Sequence, residues 1–365
     1  MDLLYQLALT LVPNIGDVQA RLLIHHLGDA ASVFRERREV LEKIEGIGRV
    51  RALSIKSFSD FERAEAELRF IEQYKIKTFF ITDRDYPQRL HQCYDAPVLM
   101  FYKGNADLNA SRIVSIVGTR SLTEYGRQAT EALVAGLARE NITIVSGLAF
   151  GIDALAHKAA LKNGLPTIGV VGHGLDLVYP YQHTSLAREI IRSGGGMLTE
   201  FFSGTQPDRH HFPLRNRIVA GISDATIVVE THVKGGSMIT AKLADAYNRD
   251  VLALPGRITD RASSGCNHLI KYNKAILLTD AEQLLEVLGW KKRKKEAGNA
   301  QRELFVDLPE EELRIIELLQ GEESVHVSEI HIRSGLSSSI AASAILHLEL
   351  KNIIYGLPGN RYRLS

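Results

Sequence analysis

Four groups of glycine, arginine, serine and aromatic residues stand where short apolar segments of the chain end. Glycines let a backbone approach a ligand, free N–H groups at helix starts favour an anion, and Arg and Lys side chains supply positive charge. An aromatic ring beside them offers a face for a nucleobase. We predict that a phosphate-bearing ligand is bound by Gly118, Thr119, Arg120, Ser146, Gly147, Arg209, Phe212, Arg215, Asn216, Arg217, Lys234, Gly235, Gly236 and Ser237.

The elements that position these groups are short, β-branched apolar segments separated by helix-length stretches. They are IVSIV at 113–117, ITIVS at 142–146, PTIGVV at 166–171, GMLTE at 196–200, ATIVVE at 225–230 and VLAL at 251–254. This alternation predicts an α/β fold with a Rossmann-like, doubly wound, mostly parallel sheet. Ligands of such sheets bind beyond the carboxyl ends of the strands, so we expect the four groups to meet there. Two further predicted strands, at 78–82 and 98–102, would extend or brace the sheet edge.

Smaller units flank this central domain. Residues 1–75 are predicted to be helical, and VPNIG at 12–16 and IEGIG at 44–48 resemble helix-hairpin-helix turns of a SAM-like domain. Two plain αα-hairpins that only pack would explain these turns equally well. Asn14 stands at a turn position that a left-handed backbone would suit, a conformation that Asn tolerates.

The C-terminal region, residues 306–365, has the pattern of three helices and a β-hairpin, which predicts a winged helix. Its third helix, SSSIAASAILHLEL, contains no Lys or Arg, so we interpret it as a protein contact or a brace and not as a reader of DNA sequence. The predicted domains are therefore 1–75, a Rossmann-like domain at 76–288, a basic linker at 289–305 and the winged helix at 306–365.

Composition limits the class of protein. The 365 residues carry a formal net charge of +1, so nucleic-acid binding has to rest on local clusters of charge. No stretch approaches the roughly 18 apolar residues of a membrane span, and the N-terminus has no basic leader. Cys93 and Cys266 are solitary, which is typical of reduced thiols. We expect a cytoplasmic protein without disulfides.

Motifs for catalysis are weak. There is no GxxxxGK[ST] phosphate loop, and GHGLDL at 172–177 lacks the third glycine of a dinucleotide fingerprint. Asp153 and His157 are spaced as an acid/base pair, although a structural role is favoured. His210-His211 lacks the partner of a helical metal site, and Ser146 has no evident base. We predict no catalytic residue, metal or cofactor, and no enzyme activity.

Several ordered motifs resemble those of the DprA/Smf family of DNA-processing proteins. They are VGTR at 117–120, SGLAFGIDALAH at 146–157, FPLRNRIVAGIS at 212–223, GGSMITAKLA at 235–244, LPG at 254–256 and GCNHLIK at 265–271, together with DYP at 85–87 and YP at 179–180. The matches extend across the central domain, and the flanking units are similar to the terminal domains of that family.

The resemblance implies a domain that binds single-stranded DNA and forms a homodimer. It also implies that the protein loads the RecA recombinase onto incoming single strands during natural transformation. By the same resemblance, Arg120 would hold backbone phosphate, residues 215–217 would line its pocket with Phe212 beside a base, and residues 235–237 and Lys271 would complete the floor. We expect Arg215 and Arg217 on loops, where their replacement would open no core cavity.

Two other functions are considered. Related Rossmann-like proteins of the lysine-decarboxylase-like, phosphoribohydrolase superfamily cleave nucleoside monophosphates with a PGGxGTxxE motif. The corresponding stretch here, KGGSMITAK, has no Glu at the expected place, which counts against that activity. A winged-helix regulator is disfavoured by the uncharged third helix.

Overall fold

The apolar segments of the central region are buried strands of one large sheet. The computed structural model describes residues 2–291, 308–322, 324–351, 353–357 and 360–364. The chain divides into two units, Met1–Lys291 and Lys292–Ser365. The strands of the first unit are β1 (Lys77–Phe80), β2 (Leu99–Gly104), β3 (Ile113–Val117), β4 (Thr143–Ser146), β5 (Thr167–Val170), β6 (Gly196–Thr199), β7 (Ala225–Val228), β8 (Asp250–Ala253) and β9 (Ile276–Leu277).

The nine strands lie in the order β1-β2-β6-β5-β4-β3-β7-β8-β9. The seven strands from β6 to β9 pair in parallel, whereas β1–β2 and β2–β6 are antiparallel. The chain moves outward from β3 through β4, β5 and β6 and then returns to β7 on the other side of β3. The junction of β3 and β7 is therefore the topological switch point, where sheets of this kind open a ligand crevice. The predicted doubly wound sheet is confirmed.

Helices cover both faces of this sheet or form the N-terminal region. They are α1 (Asp2–Leu11), α2 (Asp17–Leu27), α3 (Ala30–Arg35), α4 (Arg38–Lys43), α5 (Gly48–Ser57), α6 (Phe61–Tyr74), α7 (Gln88–His91), α8 (Glu124–Gly136), α9 (Ile152–Lys162), α10 (Thr184–Arg192), α11 (His211–Gly221), α12 (Ser237–Ala246), α13 (Ser264–Lys271) and α14 (Ala281–Val287), with 3-10 turns at Tyr181–His183 and Arg261–Ser263. None of the helices in the described ranges has the length and apolar character that a bilayer crossing requires.

The two glycine-rich turns of the N-terminal region lie side by side. Asn14 adopts the left-handed backbone that its position suggested, with φ of 66°. Arg51 joins the turns because it donates to the carbonyl of Asn14 at 3.1 Å and to that of Gly46 at 2.9 Å. The structure thus supports the hairpin geometry and does not test whether the turns hold phosphate.

This helical region is fastened to the sheet by buried polar contacts. Glu67 on α6 is 1% exposed and accepts hydrogen bonds from the backbone N–H of Ser203 at 3.0 Å and from its hydroxyl at 2.6 Å. Asp17 on α2 accepts a 2.9 Å hydrogen bond from the N–H of Val98. Side chains buried with their hydrogen bonds satisfied fix the relative position of the elements that carry them.

The second unit has the winged-helix arrangement. Its elements are α15 (Glu310–Leu319), β10 (Val325–His326), α16 (Val327–Ser334), α17 (Ser338–Leu350), β11 (Ile354–Leu357) and β12 (Arg361–Leu364). The strands form an antiparallel sheet in the order β10-β12-β11. The exposed side of α17 carries Leu346 and Leu350, which are 54% and 71% exposed. The predicted three helices and hairpin are confirmed, while the basic linker of 289–305 lies, from residue 292 on, outside the described residues.

Candidate functional site

A cleft of about 500 Å³ opens at the topological switch point of the sheet. Its walls come from the loops after β3, β4 and β7 and from the first turns of α11 and α12. The residues that line it are Val117, Gly118, Thr119, Arg120, Gly147, Ala149, Asp153, Arg209, Phe212, Pro213, Arg215, Asn216, Val219, Thr231, His232, Gly235, Gly236, Ser237, Ile239 and Thr240. All four predicted groups therefore contribute to one cavity.

The loop after β3 is held close to the start of α9. The N–H of Thr119 donates to the carbonyl of Glu230 at 2.7 Å, which ties the ends of β3 and β7 together. A Cβ at Gly118 would lie 2.8 Å from the Cβ of Ile152, so a side chain would push the loop away from α9. This tight passage directs Arg120 outward. Its side chain is exposed, and its guanidinium carbon lies 5.5 Å from the centre of the Phe212 ring.

The floor of the cleft contains a buried arginine. Arg215 is 5% exposed and donates through Nη1 to the carbonyls of Gly147 and Val170, which end β4 and β5. Burial lowers its pKa to about 10, and the Asp153 carboxylate opposes that shift, so the guanidinium remains charged at neutral pH. Burial likewise raises the pKa of Asp153, against the influence of Arg215. The expected exposed loop position of Arg215 is wrong, because the residue belongs to α11 and closes the strand ends.

The expectation for Arg217 is also wrong. This side chain is 7% exposed and points away from the cleft, into the junction with the helical region. It pairs with Asp17 at 2.9 Å, with Glu200, and with the carbonyl of Asp95. Three acceptors surround the guanidinium, so it fulfils a structural role at this junction and does not line the cleft.

The start of α12 supplies the best-formed anion site of the cleft. Within the described ranges, the backbone N–H groups of Gly236 and Ser237 have no backbone acceptor. Ser237 is only 7% exposed, and its buried hydroxyl has no hydrogen-bond partner. A buried hydroxyl without a partner costs stability unless a ligand or water satisfies it. Together with the helix dipole, this favours a bound phosphate oxygen.

Three other predicted residues lie apart from the cleft lining. Ser146 is fully buried and donates its hydroxyl to the carbonyl of Ile116 at 2.6 Å. Lys234 is exposed on the loop that precedes the lining residue Gly235. Lys271 is exposed on α13, with its Nζ 5.5 Å from the ring of Tyr272. These positions give Ser146 a role in the strand and leave the lysines on the periphery.

Some residues in and beside the cleft were not predicted from the sequence. Thr231 and His232 line the cleft and directly follow the predicted strand at 225–230. Their position at a strand end could therefore have identified them as cleft residues. Tyr179 stacks on Phe212, with ring centroids 6.0 Å apart and an interplanar angle of 28°. Nothing in the sequence predicts that contact, because it depends on how the loop after β5 meets α11.

Asp153 and His157 do not form a catalytic pair. The Nδ1 atom of His157 lies 2.6 Å from the hydroxyl of Thr167, and the ring is fully buried. Burial lowers the pKa of His157 to about 3, which leaves it uncharged at neutral pH. In the part of the chain that the structure describes, no group of three or more His, Cys, Asp or Glu residues could hold a metal ion.

A second cleft, of about 550 Å³, lies between the helical region and the sheet. Its lining includes the acidic residues Asp17 and Glu200 and the basic residue Arg63. Acidic side chains in the wall disfavour a polyanion. The phosphate-binding features therefore belong to the cleft at the switch point.

The fold and the cleft define a Rossmann-like protein with a crevice at the topological switch point of its sheet and an added winged helix. A family model for DNA recombination-mediator protein A matches residues 77–289, and one for the DprA winged helix domain matches residues 301–360. The chain belongs to the DNA recombination-mediator protein A family, which confirms the resemblance noted in its motifs.

Relatives and solved structures agree with this membership. The chain is 44% identical over 215 residues to DNA processing protein DprA of Streptococcus pneumoniae, covering 59% of this chain and 76% of the relative. It is 34% identical over 302 residues to protein Smf of Escherichia coli, covering 82% and 80%. An X-ray structure of the S. pneumoniae protein superimposes with a TM-score of 0.66 at 35% identity, covering 77% of this chain and 95% of that one.

A structure of DNA processing protein A from Helicobacter pylori also matches, with a TM-score of 0.53 at 30% identity. The match covers 59% of this chain and 95% of that chain, and the structure was described for its single-stranded DNA binding mode.

Proposed function

We propose that this protein binds single-stranded DNA in the cleft at the switch point and loads RecA onto incoming single strands in natural transformation. The observation that carries the binding step is the start of α12, where the unpartnered Ser237 hydroxyl and two free N–H groups lie within the cleft that also contains Arg120 and Arg209. The H. pylori relative, whose single-stranded DNA binding mode has been described, supports the choice of ligand.

The cleft favours flexible strands over duplex DNA. Phe212 is half-buried, and it lies beside Arg120 at the mouth of the cavity. A base can stack on such a ring only when it is free of its neighbours, which requires a single strand. Phosphate held by the α12 start would place the adjoining nucleotide near this ring.

The proposed mediator role requires binding of single-stranded DNA and no chemical step. In this proposal the protein consumes no nucleotide, and it works as a homodimer in which two clefts hold one strand. Linked sites raise avidity on a long strand beyond the affinity of either cleft. The winged helix, whose α17 exposes leucines and contains no Lys or Arg, is left to contact protein.

Binding is tested by the affinity of single- and double-stranded oligonucleotides over a series of salt concentrations. Arg120→Ala should weaken binding to all sequences and reduce the salt slope by about 0.7. Arg139→Ala is a matched control, because Arg139 is also exposed but follows α8 at the opposite edge of the sheet. An Arg120→Ala protein with unchanged affinity and slope would refute the assignment of the cleft.

The mediator step is tested by RecA strand exchange on DNA coated with single-strand-binding protein. The wild-type protein should shorten the lag, and Arg120→Ala should not. Equal action of both proteins, or ATP consumption without RecA, would contradict the mediator role. Release of free base from nucleoside monophosphates would instead favour the nucleotide-processing alternative.

A further inference from the structure

Three exposed aromatic side chains lie in loops that border the cleft, and this part of its border is called the rim. Phe150 is 42% exposed, Tyr179 is 47% exposed and Tyr181 is 76% exposed. Phe150 belongs to the loop after β4, and the two tyrosines belong to the segment between β5 and α10. Single exposed aromatic residues are ordinary on a protein surface, but several on one rim mark a surface that binds something.

The first contact of this rim joins Tyr179 to the cleft residue Phe212. The Phe212 ring lies 5.5 Å from the guanidinium carbon of Arg120, and it stacks on the ring of Tyr179. The Phe212 and Tyr179 rings are within 28° of parallel, so both present their faces in a similar direction. Tyr181 follows two residues later and exposes most of its side chain.

The second contact holds the two loops together. The ring of Phe150 meets that of His183 edge-on, with centroids 4.9 Å apart, and Nδ1 of His183 lies 2.8 Å from the carbonyl of Leu148. Phe150 directly follows Ala149, which lines the cleft. Phe150 and, through Phe212, Tyr179 are therefore joined to the cavity lining by contacts between loops, and Tyr181 lies two residues beyond Tyr179.

The chemistry of this rim suits nucleobases. Neither the segment 147–151 nor the segment 179–185 contains Asp or Glu, so no carboxylate within these two segments repels a phosphate backbone. Aromatic faces accept any base with little sequence preference, because every base has a flat face. An apolar protein partner would use the same rings, but it would not need their continuity with an anion-binding cavity.

We propose that Phe150, Tyr179 and Tyr181 form an aromatic track on which bases of the bound single strand stack after it leaves the cleft. This inference rests on the proposed function, since it extends the same DNA site. It assigns the three residues to binding of the nucleotides beyond those held by Arg120 and Ser237.

The test compares wild type with Tyr181→Ala, Tyr181→Phe and the control Tyr94→Ala, in which an exposed tyrosine outside the cleft lining is removed. Affinity is measured for oligothymidylates of about 4 to about 16 nucleotides, a span typical of single-strand sites. Tyr181→Ala should bind the longer strands about fivefold or more weakly and the shortest strands normally. Tyr181→Phe, which keeps the ring, and Tyr94→Ala should both bind as wild type does.

Abasic oligonucleotides of the same lengths separate stacking from other effects. They keep the phosphates and lack the bases, so Tyr181→Ala and wild type should bind them equally. An equal loss on normal and abasic strands, or no loss on any strand, would overturn the track. The proposed function fails separately, if wild type does not bind single strands or if Arg120→Ala binds as tightly as wild type.

Discussion

Replacing Arg217 with alanine should destabilise the protein and leave the cleft at the switch point intact in the folded molecules. The guanidinium is 7% exposed and pairs with Glu200 and Asp17, whose side chains are 12% and 32% exposed. Removing one member of a buried ion pair costs about 3–5 kcal/mol, because the remaining charge is left without compensation. Asp17 retains solvent, so we expect the lower end, about 3 kcal/mol. For a unit of this size that corresponds to a loss of about 5 °C in melting temperature.

The pH dependence of the stability lost in Arg217→Ala provides an internal check. Burial raises the pKa of Glu200 from 4.5 to about 7, and Arg217 opposes that rise. The folded state therefore binds more protons than the unfolded state between these values, so the contribution of Glu200 to stability falls as pH rises from 4.5 to about 7. Without Arg217 the pKa should rise further. The deficit of the variant should shrink as pH is lowered and Glu200 becomes neutral.

Thermal and urea unfolding measure the stability change, and oligonucleotide titration measures the affinity of the folded fraction. Arg120→Ala is the matched control, since it removes an exposed arginine and should change stability by no more than about 0.5 kcal/mol. Normal melting of Arg217→Ala combined with weak DNA binding would refute the structural role and restore Arg217 as a DNA ligand.

Two further predictions concern the cleft and its surroundings. Gly147→Ala should destabilise the protein, because the added methyl group would lie 2.6 Å from Nη2 of Arg215. A methyl group at Gly236 would face open space, so Gly236→Ala should melt at the wild-type temperature. Unfolding curves of the two variants measure the difference. His157, with its pKa lowered to about 3 by burial, should stay neutral from about pH 8 to about pH 5, which its ring NMR shifts would show. Because the unfolded histidine titrates near its ordinary value, this group should reduce stability as pH falls below 6.5, and His157→Gln should remove that dependence.

The strands and the location of the cleft were predictable because their signals are local. A segment such as residues 113–117 combines β-branched residues with a following glycine, and the sheet type then determines at which edge the loops meet. The two-residue strands β9 and β10 were not predicted, since two residues carry no periodic pattern. The membership of residues 215–217 in a helix was also missed, although Pro213 in a first turn is compatible with one.

The partners of buried charged groups were beyond the sequence. Arg217 bonds to a residue 200 positions away, and no spacing rule connects Arg217 with Asp17. Nor could the sequence separate an arginine that lines a cleft from one that closes strand ends, because residue type and spacing do not give the direction of a side chain. Resemblance to a family grouped Arg215 and Arg217 as one binding segment, while side-chain direction along α11 divides them.

Helical geometry explains why Phe212, Arg215 and Arg217 have different roles although they lie close together on α11. Successive residues of a helix turn by about 100°, so Phe212 and Arg215 lie on nearly the same side, and Arg217 lies about 200° from Arg215. The first side therefore faces the cleft, with Phe212 at its mouth and Arg215 in its floor, and the opposite side faces the junction with the helical region. A loss of DNA binding after Arg215→Ala would consequently not identify a phosphate contact, because the strand ends that Arg215 holds would also move. Phe212 and Arg120, which reach the mouth of the cleft without closing the fold, report on the ligand more directly.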